Sequence, residues 1–187
     1  MLEIEVQTKG ANKLREIAYE VGAVLDGDFT LSSGKKSGRY FEGKKVTLWP
    51  AGAVAVGEAV CEILGDVKVD AIGGLAEGAS PIVAATAVVS QQKGSPIPSF
   101  IVREQTKEHG TQRKVEGHLE RGWKVVVIDD VITLGGSTWK AIETVEALGC
   151  HVVKVIAIVD RHEGGSDKIK NAGYDFAAFL GFKGDGK

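Results

Sequence analysis

Short continuous apolar runs alternate along this chain with stretches whose apolar residues recur at helical spacing. Ala11–Val24 places Leu14, Ile17, Ala18 and Val21 on one face, which predicts an amphipathic helix. "FTLSSGKKSGRYFEGKKVTLW" reads as extended segments with turns at Ser33-Gly34 and Glu42-Gly43. Pro50 opens a predicted helix that continues to Leu64, as suits proline in a first helical turn. "VDAIGG" predicts a buried strand ending in glycines, "SPIVAATAVVSQQ" a helix, and "SFIVRE" and "WKVVVIDD" strands. "STWKAIETVEALG" predicts a helix closed by Gly149; "HVVKVIAIVDR" a strand, "SDKIKNAG" a short helix and "YDFAAFL" a last strand. Strands that are apolar throughout, separated by helices, imply an α/β fold: a mostly parallel sheet with helices on both faces.

Glu104–Gly122 fits none of these elements. It is highly charged, carries internal glycines and has no apolar face. A loop this long in a compact domain is either functional or a solvated surface excursion.

Composition narrows the class without choosing a function. With 187 residues, 43% hydrophobic and 26% charged, the chain suits a single soluble domain with its own core, and no internal repeat or linker divides it. A net charge of −2 argues against a general nucleic-acid or membrane-surface binder. Cys61 and Cys150 lie far apart in apolar stretches, outside any metal-type spacing, and are expected to be small buried hydrophobes. The opening "MLEIEVQTKG" has neither the charge pattern of a signal peptide nor the length of a membrane anchor, so a reduced cytoplasmic setting is the expectation.

The run "VVVIDDVITLGGSTWKAIE", Val125–Glu143, carries the chemistry. A buried strand ends in Asp129 and Asp130, and the loop Thr133–Thr138 leads directly into a helix. Ligands of open parallel sheets bind beyond the carboxyl ends of the strands. Unpaired N–H groups at a helix start attract phosphate, and glycine lets an anion approach the backbone. Two carboxylates beside an anion site conflict with it unless they face another partner. Ribose hydroxyls suit them, and a divalent cation would offset their charge. The combination describes a phosphorylated sugar. No G-x-x-x-x-G-K-[ST] or G-x-G-x-x-G motif occurs, which disfavours P-loop and dinucleotide-binding folds. A capping aspartate before an ordinary turn would explain one carboxylate but not the whole series.

This run resembles the phosphoribosyl pyrophosphate signature of the type I phosphoribosyltransferases. Within them, "FTLSSGKKSGRYFEGKKVTL", "AIGGLAEGASPIVAATA", "VREQTKEHGTQRKVEG" and "VDRHEGG" resemble the orotate phosphoribosyltransferase family, over roughly Leu14 to Leu180. The resemblance implies a type I phosphoribosyltransferase-like fold over residues 1–187. A small substrate-covering segment would occupy about 1–49, and a long mobile catalytic loop about 104–118. It implies Mg²⁺-dependent transfer of phosphoribose from phosphoribosyl pyrophosphate to orotate, in a homodimer whose catalytic loop reaches the neighbouring site, with no nucleic acid and no membrane as partner. Arg103, Lys107 and His109 match pyrophosphate-binding positions, with Lys107, His109, Asp129 and Asp130 as the catalytic set. Asp129 and Asp130 would hold ribose hydroxyls, and Val131, Ile132, Thr133, Leu134, Gly135, Gly136 and Ser137 would wrap the 5′-phosphate. Thr133 and Arg161 match positions that meet orotate. A guanidinium suits a planar carboxylate or imide, although Arg161 and Glu163 would also make a surface ion pair. Mg²⁺ is expected mainly on substrate oxygens.

The chain departs from the family at Glu104 and Ser32, where lysine is usual or occurs in some members. Glu77 adds a carboxylate in "GLAEGAS". These positions keep two other possibilities open: a related enzyme acting on another base, and a phosphoribosyl pyrophosphate-sensing regulator with weak or no catalysis.

Overall fold

The computed structural model describes residues 1–30, 34–104 and 114–182. In chain order the elements are β1 (Glu3–Ile4), α1 (Lys9–Glu20), β2 (Val24–Thr30), β3 (Lys36–Phe41), α2 (Gly43–Thr47), α3 (Pro50–Leu64), β4 (Ala71–Leu75) and α4 (Ala79–Gln92). They continue with β5 (Ser99–Val102), β6 (Val115–Gly117), β7 (Lys124–Ile132), α5 (Gly136–Ala147), β8 (His151–Asp160), α6 (Gly165–Asn171) and β9 (Phe176–Gly181). One sheet runs β1-β9-β8-β7-β4-β5-β6, and β2 and β3 form a separate hairpin. The five inner strands pair in parallel, while β1 and β6 close the two edges antiparallel.

Alternate residues of the parallel strands supply two apolar layers, as expected for a sheet buried on both faces. Val126, Ile128, Ile156 and Ile158 pack with Leu14 and Ile17 of α1, Val56 and Val60 of α3, and Ile82 of α4. Val125, Val127, Val155 and Ala157 pack with Ala141, Ile142 and Val145 of α5 and with Ile169 of α6. Cys150 joins the second layer, whereas Cys61 is only half-buried. No helix among the described residues is long and apolar enough to cross a membrane.

The structure differs from the sequence expectation in three places. Gly43–Thr47, expected to be extended, is a helical turn that seats Val46 and Thr47 in the interior. The charged segment after β5 contains β6, which pairs with Phe100–Val102, so not all of residues 104–118 is loop. The first 49 residues divide: β1 belongs to the main sheet and α1 to the core, leaving the β2-β3 hairpin as the outlying part.

Candidate active site

The carboxyl ends of β4 and β7, the hairpin and the start of α5 surround a cleft of about 1070 Å³. Its floor comes from the turn after β7. Gly135, with φ of +77°, turns the chain into α5, whose first residues Gly136, Ser137 and Thr138 direct N–H groups that have no intrahelical partner. A Cβ at Gly136 would meet nothing within 4 Å, so this backbone faces open space. Such a turn can receive a phosphate through backbone donors and the helix dipole.

The two aspartates have different surroundings. Asp129 is 4% exposed, and its Oδ2 accepts from Ser137 Oγ at 2.5 Å and Thr138 Oγ1 at 2.8 Å. It ties the end of β7 to the first turn of α5. Burial, and then the charge of Asp130, push its carboxyl up to about 6. Asp130 lines the cleft. Its Oδ1 accepts the Val131 N–H at 2.8 Å, and burial raises its pKa. Glycine leaves room for this pair: a Cβ at Gly78 would stand 2.7 Å from Asp130 Oδ1, and one at Gly43 3.0 Å from its Oδ2.

Arg161 also lines the cleft. It is 2% exposed, donating from Nε to Glu163 Oε1 at 2.9 Å and from Nη2 to Ser37 Oγ at 3.1 Å, with its guanidinium 5.1 Å from the Phe182 ring centre. The pair with Glu163 therefore exists, but as an interior mount and not a surface bridge. Ser37 belongs to β3, so the hairpin is fastened to the cleft through this arginine.

Asp130, Val131, Thr133, Leu134, Gly135, Gly136, Ser137 and Arg161 all line the cleft. Asp129 lies beneath it, and Ile132, 1% exposed, points into the layer under α5. Arg103 faces elsewhere: its guanidinium pairs with Glu116 on β6, and it lines an adjoining hollow of about 710 Å³ between β6 and α5. Glu104 lines both spaces and its carbonyl accepts from Lys140 Nζ at 3.0 Å. Lys107, His109 and Ser32 lie outside the described residues.

Sequence reasoning overlooked Lys44. Its ammonium reaches Glu77 Oε2 at 3.0 Å, and that hydrogen bond raises its pKa. Its only signal was the pair of lysines in "EGKKV", within a segment expected to be extended. The peptide bond between Ala76 and Glu77 is cis.

Among the described residues, no three His, Cys, Asp or Glu side chains gather as a metal-binding group. The cleft presents Glu42, Glu77, Glu104 and Asp130 as separate carboxylates, a donor set that would suit Mg²⁺ held largely by substrate oxygens.

A strand ending in paired aspartates, followed by an anion-receiving turn at the mouth of a parallel sheet, defines a phosphoribosyltransferase domain, and the phosphoribosyl transferase domain family model matches residues 42–175. The chain is 43% identical over 166 residues to the orotate phosphoribosyltransferase of Nostoc sp., covering 88% of this chain and 78% of that one. It is 43% identical over 145 residues to that of Aquifex aeolicus, covering 78% and 79%. The crystal structure of Mycobacterium tuberculosis orotate phosphoribosyltransferase in complex with 5-phospho-α-D-ribosyl 1-diphosphate matches with a TM-score of 0.75 at 28% identity, over 92% of this chain and 96% of that one. The Aeropyrum pernix orotate phosphoribosyltransferase matches with a TM-score of 0.75 at 31% identity, over 90% and 93%. This chain belongs to the orotate phosphoribosyltransferase family.

Proposed function

We propose that this protein joins orotate to the phosphoribosyl group of phosphoribosyl pyrophosphate, giving orotidine 5′-monophosphate and pyrophosphate in pyrimidine biosynthesis. The observation that carries the reading is the shared cleft. The first turn of α5, Asp130 and the buried Arg161 line one space, which supplies the kinds of group that phosphate, ribose and an acidic planar base require.

The 5′-phosphate sits on the N–H groups of Gly136, Ser137 and Thr138. Asp129 holds Ser137 and Thr138 in register from below, so the turn is preorganised before ligand arrives. Asp130 accepts from a ribose hydroxyl, and its negative charge favours the positive charge that grows on the sugar in an oxocarbenium-like transition state. Arg161, already fixed by Glu163 and Ser37, and Thr133 orient orotate. Lys107 and His109 bind the leaving pyrophosphate, with Arg103 released from Glu116 to join them. When bound, Mg²⁺ would neutralise charge on the diphosphate as it departs. The resemblance supports a cytoplasmic homodimer in which the catalytic loop serves the neighbouring site.

A spectrophotometric assay with orotate, phosphoribosyl pyrophosphate and Mg²⁺ tests the reading. Consumption of orotate with formation of orotidine 5′-monophosphate is expected. Binding of phosphoribosyl pyrophosphate without turnover would instead favour a sensor, the role that Glu104 and Glu77 on the cleft rim keep open.

A further inference from the structure

Among the described residues that line the cleft there are two cations, Lys44 and Arg161, and four carboxylates, Glu42, Glu77, Glu104 and Asp130. A substrate carrying a phosphate and a diphosphate is strongly anionic, so a cleft with this excess of carboxylates needs every cation it has. Arg161 is buried and already engaged by Glu163 and Ser37. Lys44 is different. It projects from the first turn of α2, its side chain is 47% exposed, and its ammonium donates to Glu77, whose side chain is 84% exposed. The two residues come from separate elements, α2 and the turn after β4. Asp130 lies between, close against both Gly43 and Gly78. An ion pair so exposed is worth little in water and gives way easily to a stronger anion.

Resting on the proposed activity, we infer that Lys44 binds the diphosphate of phosphoribosyl pyrophosphate, and that Glu77 holds the lysine in place until the ligand displaces it. A diphosphate offers Lys44 more charge and more acceptor oxygens than one carboxylate does. Glu77 is then a competitor that lowers affinity.

The test measures Michaelis constants for both substrates, and calorimetric binding of magnesium pyrophosphate, in wild type, Lys44→Gln, Glu77→Gln and the double variant. Lys44→Gln should raise the Michaelis constant for phosphoribosyl pyrophosphate about tenfold, the scale of one charge-assisted contact, and leave that for orotate unchanged. Glu77→Gln should lower it by about twofold at low salt, as removal of an exposed competing charge predicts. The double variant should match Lys44→Gln, because Glu77 acts only through the lysine. Unchanged phosphoribosyl pyrophosphate and pyrophosphate affinities in a folded Lys44→Gln protein would overturn the inference. So would a Glu77→Gln protein whose Michaelis constant rises as in Lys44→Gln, the mark of a structural tie. A wild type that makes no orotidine 5′-monophosphate, yet binds pyrophosphate in a Lys44-dependent way, would defeat the proposed activity and leave this site standing.

Discussion

At the α5 end of the cleft, the groups offered to a ligand are backbone N–H groups and hydroxyls, locked by a buried aspartate. Elsewhere on the cleft they are long charged side chains, Lys44, Glu77 and Glu104, the last tied through its carbonyl to Lys140 of α5. The first end is set by glycines and by the fold of the β7–α5 turn. It can be changed only by filling space or by loosening Asp129. The second end is set by charge, so it responds to single substitutions and to salt. A phosphate that stays on the sugar through the reaction suits a rigid cradle, whereas a diphosphate that must leave suits adjustable contacts.

The largest effect should come from the proposed contacts of the leaving diphosphate, to which the family resemblance assigns Lys107. Lys107→Ala should reduce turnover by about 10²-fold or more, the scale of losing one preorganised transition-state donor. A folded variant with near wild-type turnover would remove this lysine from the chemistry.

Gly136→Val should come next. Its side chain would enter open cleft without striking protein, so the fold should persist. Affinity for orotidine 5′-monophosphate should fall by about tenfold to a hundredfold, as one or two hydrogen bonds to a charged group are lost. Calorimetry at low and high salt should find a similar factor at both, since the block is steric. Unchanged affinity would move the phosphate away from α5.

Asp129→Asn probes the lock itself. A carboxyl whose folded pKa is raised binds protons more readily in the native state, so its contribution to stability falls as pH climbs from the unfolded value of 3.8 through about 6. The asparagine variant lacks that penalty. Without magnesium, its melting temperature should exceed that of wild type above pH 6, and the advantage should fade towards pH 4. A constant difference across that range would show that Asp129 ionises without cost.

The smallest effect is expected at Glu104. Because this side chain is exposed on the rim, Glu104→Lys should lower the Michaelis constant for phosphoribosyl pyrophosphate by at most about fivefold. The gain should shrink as salt rises and the screening length falls towards about 8–10 Å. A lysine variant that binds more weakly than wild type at low salt would show that Glu104 holds a partner the site needs.

By itself the sequence determined the parallel α/β architecture, because strands buried on both faces must be apolar throughout, as Val125–Ile128 are. It also determined where α3 begins, through Pro50, and it marked the Asp-Asp to Gly-Gly-Ser-Thr turn, whose parts are consecutive in the chain. Edges were hidden. β1 has two residues and β6 three, too few for any periodicity, and both exist only because a neighbouring strand offers unpaired backbone. Side-chain direction was hidden too, since it depends on what tertiary packing brings near. Asp129 and Asp130 are adjacent in sequence, yet one locks α5 from below and the other faces the cleft. Arg161 meets Ser37 across 124 positions, Lys44 meets Glu77 across 33, and Arg103 turns to a glutamate on a strand the pattern did not reveal. Local chemistry is written in consecutive residues, but the partner that limits or releases each charge comes from distant chain, and only the folded sheet brings the two together.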